Sequence, residues 1–366
     1  MGAAGGVDST KEVGDATRRW NRTDRRERWA RNGNGARAGT RPDGRLGYGA
    51  GRKLCLPVVW KNRAASAGRA LLAGGMPGLR CILDAAPVKI AIASGKGGTG
   101  KTTVAVNLAC MLADRGERVQ YLDCDVEAPN GHLFLKPRIE AREPVGIPVL
   151  VVDEETCTGC RTCAEVCAYH ALAVLKKPVV FPELCHGYGG CALVCPSGAI
   201  REVNRPIGVV ETGRSEGVAF VQGRLNVGEP MAPPLIRAVK KNVLADGVAI
   251  LNAPPGTSCP VVAVVRDADY VLLVTEPTPF GLHDLKLAVA MVRGLGRRHG
   301  VVINRATLGY GRVRNFCAAE AIPMVLEIPD DRFAAEVYSR GQIAFRLLPE
   351  WHTLLTVLWQ RIQSAS

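Results

Sequence analysis

The chain has 366 residues, of which 47% are hydrophobic, and a formal net charge of +13. This composition is ordinary for a globular protein, and no apolar run approaches the roughly 20 residues that a membrane-spanning helix needs. The numbers argue against a membrane-spanning protein and against disorder throughout, so we expect a soluble, cytoplasmic protein with no stable membrane anchor.

The positive charge is concentrated near the N-terminus. Residues 1–86 contain 17 Lys and Arg against 7 Asp and Glu, whereas the remaining residues contain 30 against 27. This leader is rich in Arg and Gly and has no apolar periodicity, so we expect it to be disordered. A nucleic-acid-binding arm and a transit peptide are alternatives, and a translation start near Met76 is the one we favour. For the nearly neutral remainder we expect no binding to nucleic acid.

Short apolar runs alternate with helical patterns from Val88 onward. The strands predicted in chain order are VKIAIAS, RVQYLDCD, GVAILN, YVLLVTE and GVVINR. The first helix is predicted from Lys101 to about Arg115, with Gly116 as its stop, and GLHDLKLAVAMVRGL is a later one. Continuous apolar strands separated by helices are typical of a parallel sheet covered on both faces, which predicts a three-layer α/β domain.

A cysteine-rich segment interrupts this alternation. Seven of the 13 cysteines lie within 39 residues, from Cys157 to Cys195, and dense clustering in a long chain indicates metal binding rather than disulfides. We therefore predict an α/β domain in two parts, residues 87–147 and 206–366, with a small α+β module inserted at residues 148–205.

The stretch GKGGTGKTT follows the first predicted strand and opens the first predicted helix. It matches the phosphate-loop pattern G-x-x-x-x-G-K-[ST]. In that pattern glycines let backbone N–H groups face phosphate oxygens, the lysine supplies a positive charge, and the hydroxyl reaches Mg²⁺. The helix N-terminus adds a partial positive charge. The sequence therefore predicts a nucleotide-binding loop of nine residues: Gly95, Lys96, Gly97, Gly98, Thr99, Gly100, Lys101, Thr102 and Thr103.

The cysteine-rich segment contains two closely spaced runs, Cys157, Cys160, Cys163 and Cys167 in CTGCRTCAEVCA and Cys185, Cys191 and Cys195 in CHGYGGCALVCP. The first run has the spacing of bacterial ferredoxins, in which the fourth cysteine ligates the other cluster of a two-cluster protein. Zinc is the alternative, because paired C-x-x-C motifs also form tetrahedral sites.

Crossed ligation divides these cysteines between two iron–sulfur clusters. A [4Fe–4S] cluster takes Cys157, Cys160, Cys163 and Cys195. The second cluster takes Cys167, Cys185 and Cys191, and its fourth corner falls at Tyr188. Three thiolates suit a [3Fe–4S] cluster, which we favour, or an incomplete [4Fe–4S] cluster with the tyrosine oxygen, water or substrate on the open iron. Because tyrosine is a poor ligand for a soft metal site, its simplest role is to cover the cluster.

The chain resembles the MinD/ParA superfamily, and specifically its P-loop ATPases that contain an inserted ferredoxin domain. The features that carry the resemblance are Lys96 directly after the first glycine, the cysteine module, and the segments GRLNVGEPMAPPLI, NAPPGTSCPVV and LLVTEPTPFGLHDLK. The match runs from Lys89 to about Gly341. It implies ATP and Mg²⁺ as ligands and a homodimer in which Lys96 contacts the nucleotide of the partner, with Lys96, Lys101 and Asp125 as catalytic residues.

The resemblance also implies roles for polar residues that follow predicted strands. Asp123 would support the Mg²⁺ shell, Asp125 would orient the attacking water, and Asn304 would contact adenine, although capping of a turn is an alternative for such residues. Asn252 stands where the family has Asp. Asn retains a carbonyl oxygen but loses the negative charge, so we expect ATP binding to persist while Mg²⁺ affinity or hydrolysis is weakened.

Three functions remain open. The first is an ATPase that couples nucleotide-dependent closure of the dimer to electron transfer to a redox partner. The second is an Mrp-type carrier that delivers clusters to an acceptor protein. Such carriers use a late C-x-x-C pair, whereas Cys259 and Cys317 are isolated here and are expected to be buried. The third is a MinD-like positioning protein with a membrane-binding C-terminal helix. The apolar stripe from Trp351 to Ile362 has few basic neighbours, which favours packing against the sheet.

Overall fold

The computed structural model describes residues 86–175 and 177–365, so the predicted leader and the start near Met76 lie outside the described residues. The strands in this part of the chain are β1 (Val88–Ala93), β2 (Val119–Asp123), β3 (Arg138–Val152), β4 (Leu172–Val174), β5 (Pro178–Val180), β6 (Ile200–Ser215), β7 (Val218–Leu225), β8 (Val248–Asn252), β9 (Tyr270–Thr275), β10 (His299–Ile303) and β11 (Met324–Glu327). All five predicted strands are confirmed, as β1, β2, β8, β9 and β10.

The helices in the same part of the chain are α1 (Lys101–Asp114), α2 (Gly131–Leu135), α3 (Thr162–Val166), α4 (Gly190–Leu193), α5 (Ala232–Lys240), α6 (Cys259–Val265), α7 (Pro279–Gly294), α8 (Arg312–Ala319), α9 (Arg332–Ser339), α10 (Ala344–Leu347) and α11 (Pro349–Ala365). Both helices predicted from periodicity are confirmed, as α1 and α7. Gly116, just after α1, has a φ of 80°, which suits the left-handed stop that glycine allows.

The large sheet contains nine of the described strands in the order β11-β10-β9-β1-β8-β2-β7-β6-β3. The seven strands from β11 to β7 are parallel, which confirms the predicted α/β architecture. The edge differs from the prediction, because β6 pairs antiparallel with both β7 and β3. These edge strands carry many polar residues and so lack the continuous apolar runs on which the strand predictions depended.

Two apolar clusters cover the two faces of the sheet. Ile90 and Ile92 of β1 lie in the cluster that contains the buried residues of α1 and α11. Ala91 and Ala93 lie in the cluster that contains buried residues of α5, α6 and α7. Because successive side chains of a strand point to opposite faces, this division gives the three layers that the sequence predicts.

The apolar stripe of the C-terminal helix packs into the core. The buried residues of this helix belong to the cluster that also contains the buried residues of α1; they are Trp351, Leu355, Leu358 and Ile362. Leu354 packs against the same cluster. The predicted packing of this helix is therefore confirmed. Within the described residues, no helix is long and apolar enough to cross a bilayer.

The cysteine-rich segment lies at the end of the long β3–β6 hairpin. Between Val152 and Ile200 the chain forms α3, α4 and the two-stranded antiparallel sheet β4–β5. The bounds predicted for an inserted module, residues 148–205, include the last residues of β3 and the first residues of β6. The assignment of this segment as a separate ferredoxin domain stays a prediction.

Candidate functional site

The phosphate loop connects the carboxyl end of β1 to the N-terminus of α1. Gly98 and Gly100 have φ values of 77° and 94°, the left-handed region that favours glycine. At Gly95, a Cβ atom would overlap the backbone oxygen of Asp284 in α7, so close packing requires glycine there. A Cβ at Gly97 would meet open space. The backbone at the front of the loop is therefore accessible to a ligand.

Lys101 at the start of α1 lies with Asp123 and Asp125, which follow β2. Burial lowers the pKa of the Lys101 ammonium, and the two carboxylates oppose that shift. Burial, together with the negative charge of Asp123, raises the pKa of the Asp125 carboxyl to about 7, against the opposing effect of Lys101. The structure thus brings together the lysine and both acids that the sequence singles out, in a site with little water to screen their charges.

Asp123 is fully buried at the end of β2. Its carboxylate accepts hydrogen bonds from the backbone N–H groups of Gly131 at 2.9 Å, and of Asp125 and Asn130 at 3.2 Å each. Burial raises the pKa of this carboxyl, and these hydrogen bonds oppose the shift. A carboxylate with this many fixed donors is an anchor for the loop between β2 and α2.

Asn252 at the end of β8 joins this network as a donor. Its side-chain Nδ2 lies 3.1 Å from the Oδ1 of Asp123 and 3.3 Å from the Oγ1 of Thr102. The Thr102 hydroxyl in turn donates to the side-chain oxygen of Asn130 at 2.8 Å. The Oδ1 of Asn252 and the Oγ1 of Thr99 are buried without a partner among the described residues. Unpaired buried oxygens beside a phosphate loop fit a bound nucleotide and hydrated Mg²⁺, which would supply the missing partners.

Lys96 is paired within its own chain. Its Nζ lies 3.0 Å from the Oε2 of Glu276, at the end of β9, and the other carboxylate oxygen of Glu276 accepts from Arg305 at 2.9 Å. The Glu276 side chain is only 9% exposed. Arg305 has a φ of 54°, a left-handed conformation that is uncommon for a residue with a side chain.

Asn304 lies at the end of β10 and reaches the phosphate loop directly. Its Nδ2 donates to the backbone oxygen of Thr99 at 3.0 Å, and its Oδ1 accepts from the backbone N–H of Arg305 at 3.0 Å. The remaining loop residue, Thr103, lies in the first turn of α1, where its backbone oxygen accepts from Asn107. The structure therefore places all the predicted nucleotide-site residues at the carboxyl ends of the parallel strands.

The cysteines divide into two groups, each lining its own cavity. The first cavity is lined by four of them, Cys157, Cys160, Cys163 and Cys195. The second, of about 320 Å³, is lined by the other three, Cys167, Cys185 and Cys191. This grouping is the one that crossed ligation predicts, and it separates cysteines that are neighbours in sequence.

The two groups of thiols fit the sulfur ligation that iron–sulfur clusters require. Burial raises the pKa of the Cys163 thiol, with Cys160 and Cys157 contributing as close neighbours. Burial likewise raises the pKa of the Cys191 thiol, with contributions from Cys185 and Cys167. Within the described residues, no three His, Cys, Asp or Glu side chains are arranged to hold a single metal ion.

An aromatic stack borders the second cavity. The rings of Tyr169 and His186 lie 3.7 Å apart between centroids, and Tyr188 stacks on Tyr169 at 5.5 Å. The Tyr169 hydroxyl donates to the Tyr188 hydroxyl at 3.5 Å. Tyr188 nevertheless remains 74% exposed. This tyrosine therefore lines the cavity with one side and presents most of its surface to solvent.

Several residues of the site were not predicted from the sequence. Glu276 pairs with Lys96, which lies 180 residues away along the chain, and Arg305 pairs with Glu276. Asn130 accepts from Thr102, 28 residues away, and no short motif marks any of the three. Asn130 ends the segment YLDCDVEAPN, which begins in β2, and directly precedes α2. That position before a helix is the one signal that could have identified it. Of the two isolated cysteines expected to be buried, Cys317 is buried, whereas the expectation was wrong for Cys259, which is exposed as the first residue of α6.

Residues 90–344 match the family described as the CobQ/CobB/MinD/ParA nucleotide binding domain. Two uncharacterized proteins of Methanocaldococcus jannaschii are similar over most of their length. One is 32% identical over 246 residues, which cover 66% of this chain and 86% of the relative. The other is 31% identical over 282 residues, which cover 69% and 90%.

Two further similarities are shorter or more remote. An iron-sulfur cluster carrier protein of Synechocystis is 46% identical over 67 residues, covering 15% of this chain and 19% of the carrier. The crystal structure of the cell division ATPase MinD of Pyrococcus furiosus aligns with 20% identity and a TM-score of 0.47, covering 76% of this chain and 99% of MinD. On the extent of the family match and of the first two relatives, the chain belongs to the CobQ/CobB/MinD/ParA family of nucleotide-binding proteins.

Proposed function

We propose that this protein is an ATP-binding iron–sulfur protein in which ATP binding and hydrolysis drive closure of a homodimer and regulate electron transfer through ferredoxin-type clusters. The observation that carries the proposal is the division of seven cysteines into two cavities, four in one and three in the other, in a chain that also carries a complete phosphate loop. The proposed setting is the cytoplasm, and the proposed partner is a redox protein.

At the nucleotide site each residue has a physical task. The backbone N–H groups from Gly97 to Thr102 bind the phosphates. Lys101 adds a positive charge, and its attraction to the phosphates is stronger in a buried site than in water. The hydroxyl of Thr102 would be a ligand for Mg²⁺, and the ion would neutralise charge on the phosphates. Asp125 holds a water by its carboxylate, and its pKa of about 7 suits a group that accepts a proton near neutral pH.

Asn252 sets the character of this site. As an amide it donates to Asp123, whereas an aspartate in its place would repel that carboxylate across 3.1 Å. The amide therefore stabilises the site before Mg²⁺ binds, and its free Oδ1 can accept a hydrogen bond from a water of the hydrated ion. The same substitution removes a negative charge from the Mg²⁺ environment, so the site favours nucleotide binding at the expense of turnover.

The two cysteine cavities would hold the iron–sulfur clusters. Four thiols in the first cavity fit a [4Fe–4S] cluster and three in the second fit a [3Fe–4S] or incomplete [4Fe–4S] cluster, and such clusters supply one-electron chemistry when bound. Tyr188, which stands in the sequence where a fourth cysteine would be, lines the second cavity and is largely exposed. The fourth iron position of that cluster would therefore be accessible to a ligand from solution.

A continuous apolar cluster favours communication between the two sites. Cys124 and Val126 flank Asp125 and belong to the same buried cluster as Cys163 and Cys185. A movement of the loop after β2 on nucleotide binding is therefore transmitted into packed side chains rather than into solvent.

The test is a comparison of electron paramagnetic resonance spectra of the anaerobically purified, reduced protein with and without MgATP. We expect a nucleotide-dependent change in the signal of at least one cluster, and the Lys101→Ala variant should lose that change while keeping its iron. Spectra with cluster signals that are identical with and without MgATP would remove the coupling from the proposal.

Cluster delivery is the second candidate, because short stretches of the chain are similar to iron-sulfur cluster carrier proteins. Cys317 is buried and Cys259 is isolated, so an external bridging site would have to use other thiols. Incubating the iron-loaded protein with an apo-ferredoxin distinguishes the two functions. Stoichiometric transfer of iron to that acceptor would favour a carrier, and retention of both clusters would favour electron transfer.

A further inference from the structure

A basic groove lies between α5 and α6 and extends to the second cysteine cavity. It has a volume of about 990 Å³, and five cationic side chains line it: Lys89, Arg237, Lys240, Lys241 and Arg266. Two carboxylates, Asp267 and Asp269, line the same groove. We call this surface the α5–α6 groove.

The charge of the α5–α6 groove is unusual for this molecule. Beyond residue 86 the chain contains 30 Lys and Arg against 27 Asp and Glu, so the groove alone accounts for an excess of positive charge equal to that of the whole remainder. Lys240 is neutralised by Asp267 at 2.9 Å. Arg237 and Lys241 are exposed and form no ion pair with any residue that the structure describes. Their charge is available to a partner.

Tyr188 connects the α5–α6 groove to the cluster region. The same ring lines the groove and the cavity that contains Cys167, Cys185 and Cys191. A molecule bound at that end of the groove would therefore contact a residue that also lines the three-thiol cavity.

We propose that the α5–α6 groove is the docking site for an acidic electron-carrier protein. This inference rests on the proposed function, because the nature of the partner follows from the position of Tyr188 beside the second cluster site. The charge excess selects an acidic partner and accelerates its association by electrostatic steering. Residues 1–85 carry 17 Lys and Arg against 7 Asp and Glu, a charge of the same sign as that of the groove, which argues against them as its occupant.

Nucleic acid is the other polyanion that a basic surface can attract. Asp267 and Asp269 oppose a phosphate backbone along this groove. Among the described residues that line it, Tyr188 is the one aromatic side chain, so this part of the chain offers no series of rings for base stacking. A folded acidic protein can place its carboxylates against Arg237 and Lys241 and leave Asp267 paired with Lys240 and Asp269 bonded to the backbone N–H of Lys89.

The experiment measures binding of a plant-type [2Fe–2S] ferredoxin, a small acidic carrier used as the probe, to the full-length, iron-loaded protein. We expect binding that weakens steeply as salt rises from about 50 to about 300 mM, since screening shortens the range of the attraction. The double variant Arg237→Glu/Lys241→Glu should weaken binding by about tenfold or more, and the neutral pair Arg237→Gln/Lys241→Gln by less. Thermal unfolding of each variant confirms that it is folded.

The matched control is Arg332→Glu/Arg340→Glu, which makes the same change of net charge on exposed residues of and beside α9. We expect this control to change the affinity by less than about twofold. Equal losses in both pairs, no measurable binding of the probe, or tighter and equally variant-sensitive binding of a single-stranded oligonucleotide would overturn the inference. The iron content is measured on the same samples, so loss of iron tests the proposed function and loss of binding alone tests the groove.

Discussion

The ammonium group of Lys96 lies 3.0 Å from the carboxylate of Glu276 in the same chain. The family resemblance would assign this lysine to the nucleotide of a partner chain, so under the proposed function the Lys96–Glu276 pair would separate when the dimer closes. Arg305 binds the other oxygen of Glu276 and could neutralise that carboxylate when Lys96 leaves. In this proposal, breaking the pair costs free energy that nucleotide binding would offset.

Replacing Glu276 with Gln removes the charge that retains Lys96 and keeps the shape of the side chain. We expect ATP-dependent dimers at about three- to tenfold lower protein concentration, since the Lys96 side chain is one-third exposed and its ion pair is partly screened. Sedimentation velocity with a non-hydrolysable ATP analogue measures this shift. Glu336→Gln, which breaks the exposed pair with Arg332, is the control and should leave the dimer unchanged. If Glu276→Gln dimerises less readily than the parent, Glu276 supports the closed state instead.

Replacing Asn252 with Asp exchanges a hydrogen-bond donor for a second buried carboxylate beside Asp123. Without metal, we expect the free energy of unfolding to fall by about 2–3 kcal/mol, because two like charges are then close together in a buried site. With MgATP, we expect half-maximal ATPase activity at an Mg²⁺ concentration lower by about tenfold, since carboxylate oxygens are preferred ligands of this ion. Thermal denaturation and a magnesium titration of ATP hydrolysis measure the two effects. Unchanged turnover in this variant would contradict the role assigned to Asn252.

Much of the nucleotide site was predictable because it depends on local sequence. The spacing of residues from Gly95 to Thr103 identifies the phosphate loop by itself. The parallel sheet brings the carboxyl ends of its strands to the same side, which places Asp123, Asn252 and Asn304 near that loop. The pairing of Lys96 with Glu276 was not predictable, because 180 residues separate the two and the contact depends on how β9 lies beside β1. The antiparallel strands β3 and β6 were not predictable either, because their polar and apolar residues do not alternate regularly.

The protonation of Asp125 makes stability depend on pH. Burial raises the pKa of this carboxyl from 3.8 to about 7 in the folded, nucleotide-free chain, so the folded state binds more protons than the unfolded state between these values. Stability contributed by this residue is therefore present at low pH and is lost as the pH rises from about 4 to about 7. We expect Asp125→Asn to remove about 1–2 kcal/mol of this dependence after allowance for partial exposure, as measured by urea denaturation across that range. The variant should also lose ATPase activity, and a pH profile identical to that of the parent would contradict the assignment.

Replacing Tyr188 with Cys supplies the fourth thiol of the second cavity. If the missing ligand limits that site, the iron content of the reconstituted protein should rise from about seven to about eight atoms per chain, the sum of two complete [4Fe–4S] clusters. The control is Tyr169→Cys, which replaces the neighbouring ring of the same stack with a thiol. We expect no gain of iron in this variant. Chemical iron determination measures both variants, and a gain of iron in the Tyr169 variant alone would contradict the assignment of the open corner.

Mössbauer spectroscopy with an iron determination on the anaerobically purified protein, with and without MgATP, is the decisive test of nucleotide-regulated electron transfer. We expect one four-iron and one three-iron or incomplete spectrum, with parameters of at least one cluster changed by the nucleotide. Absence of iron after careful reconstitution, with ATP binding intact, would contradict it and would leave a nucleotide-binding protein whose cysteines have another purpose.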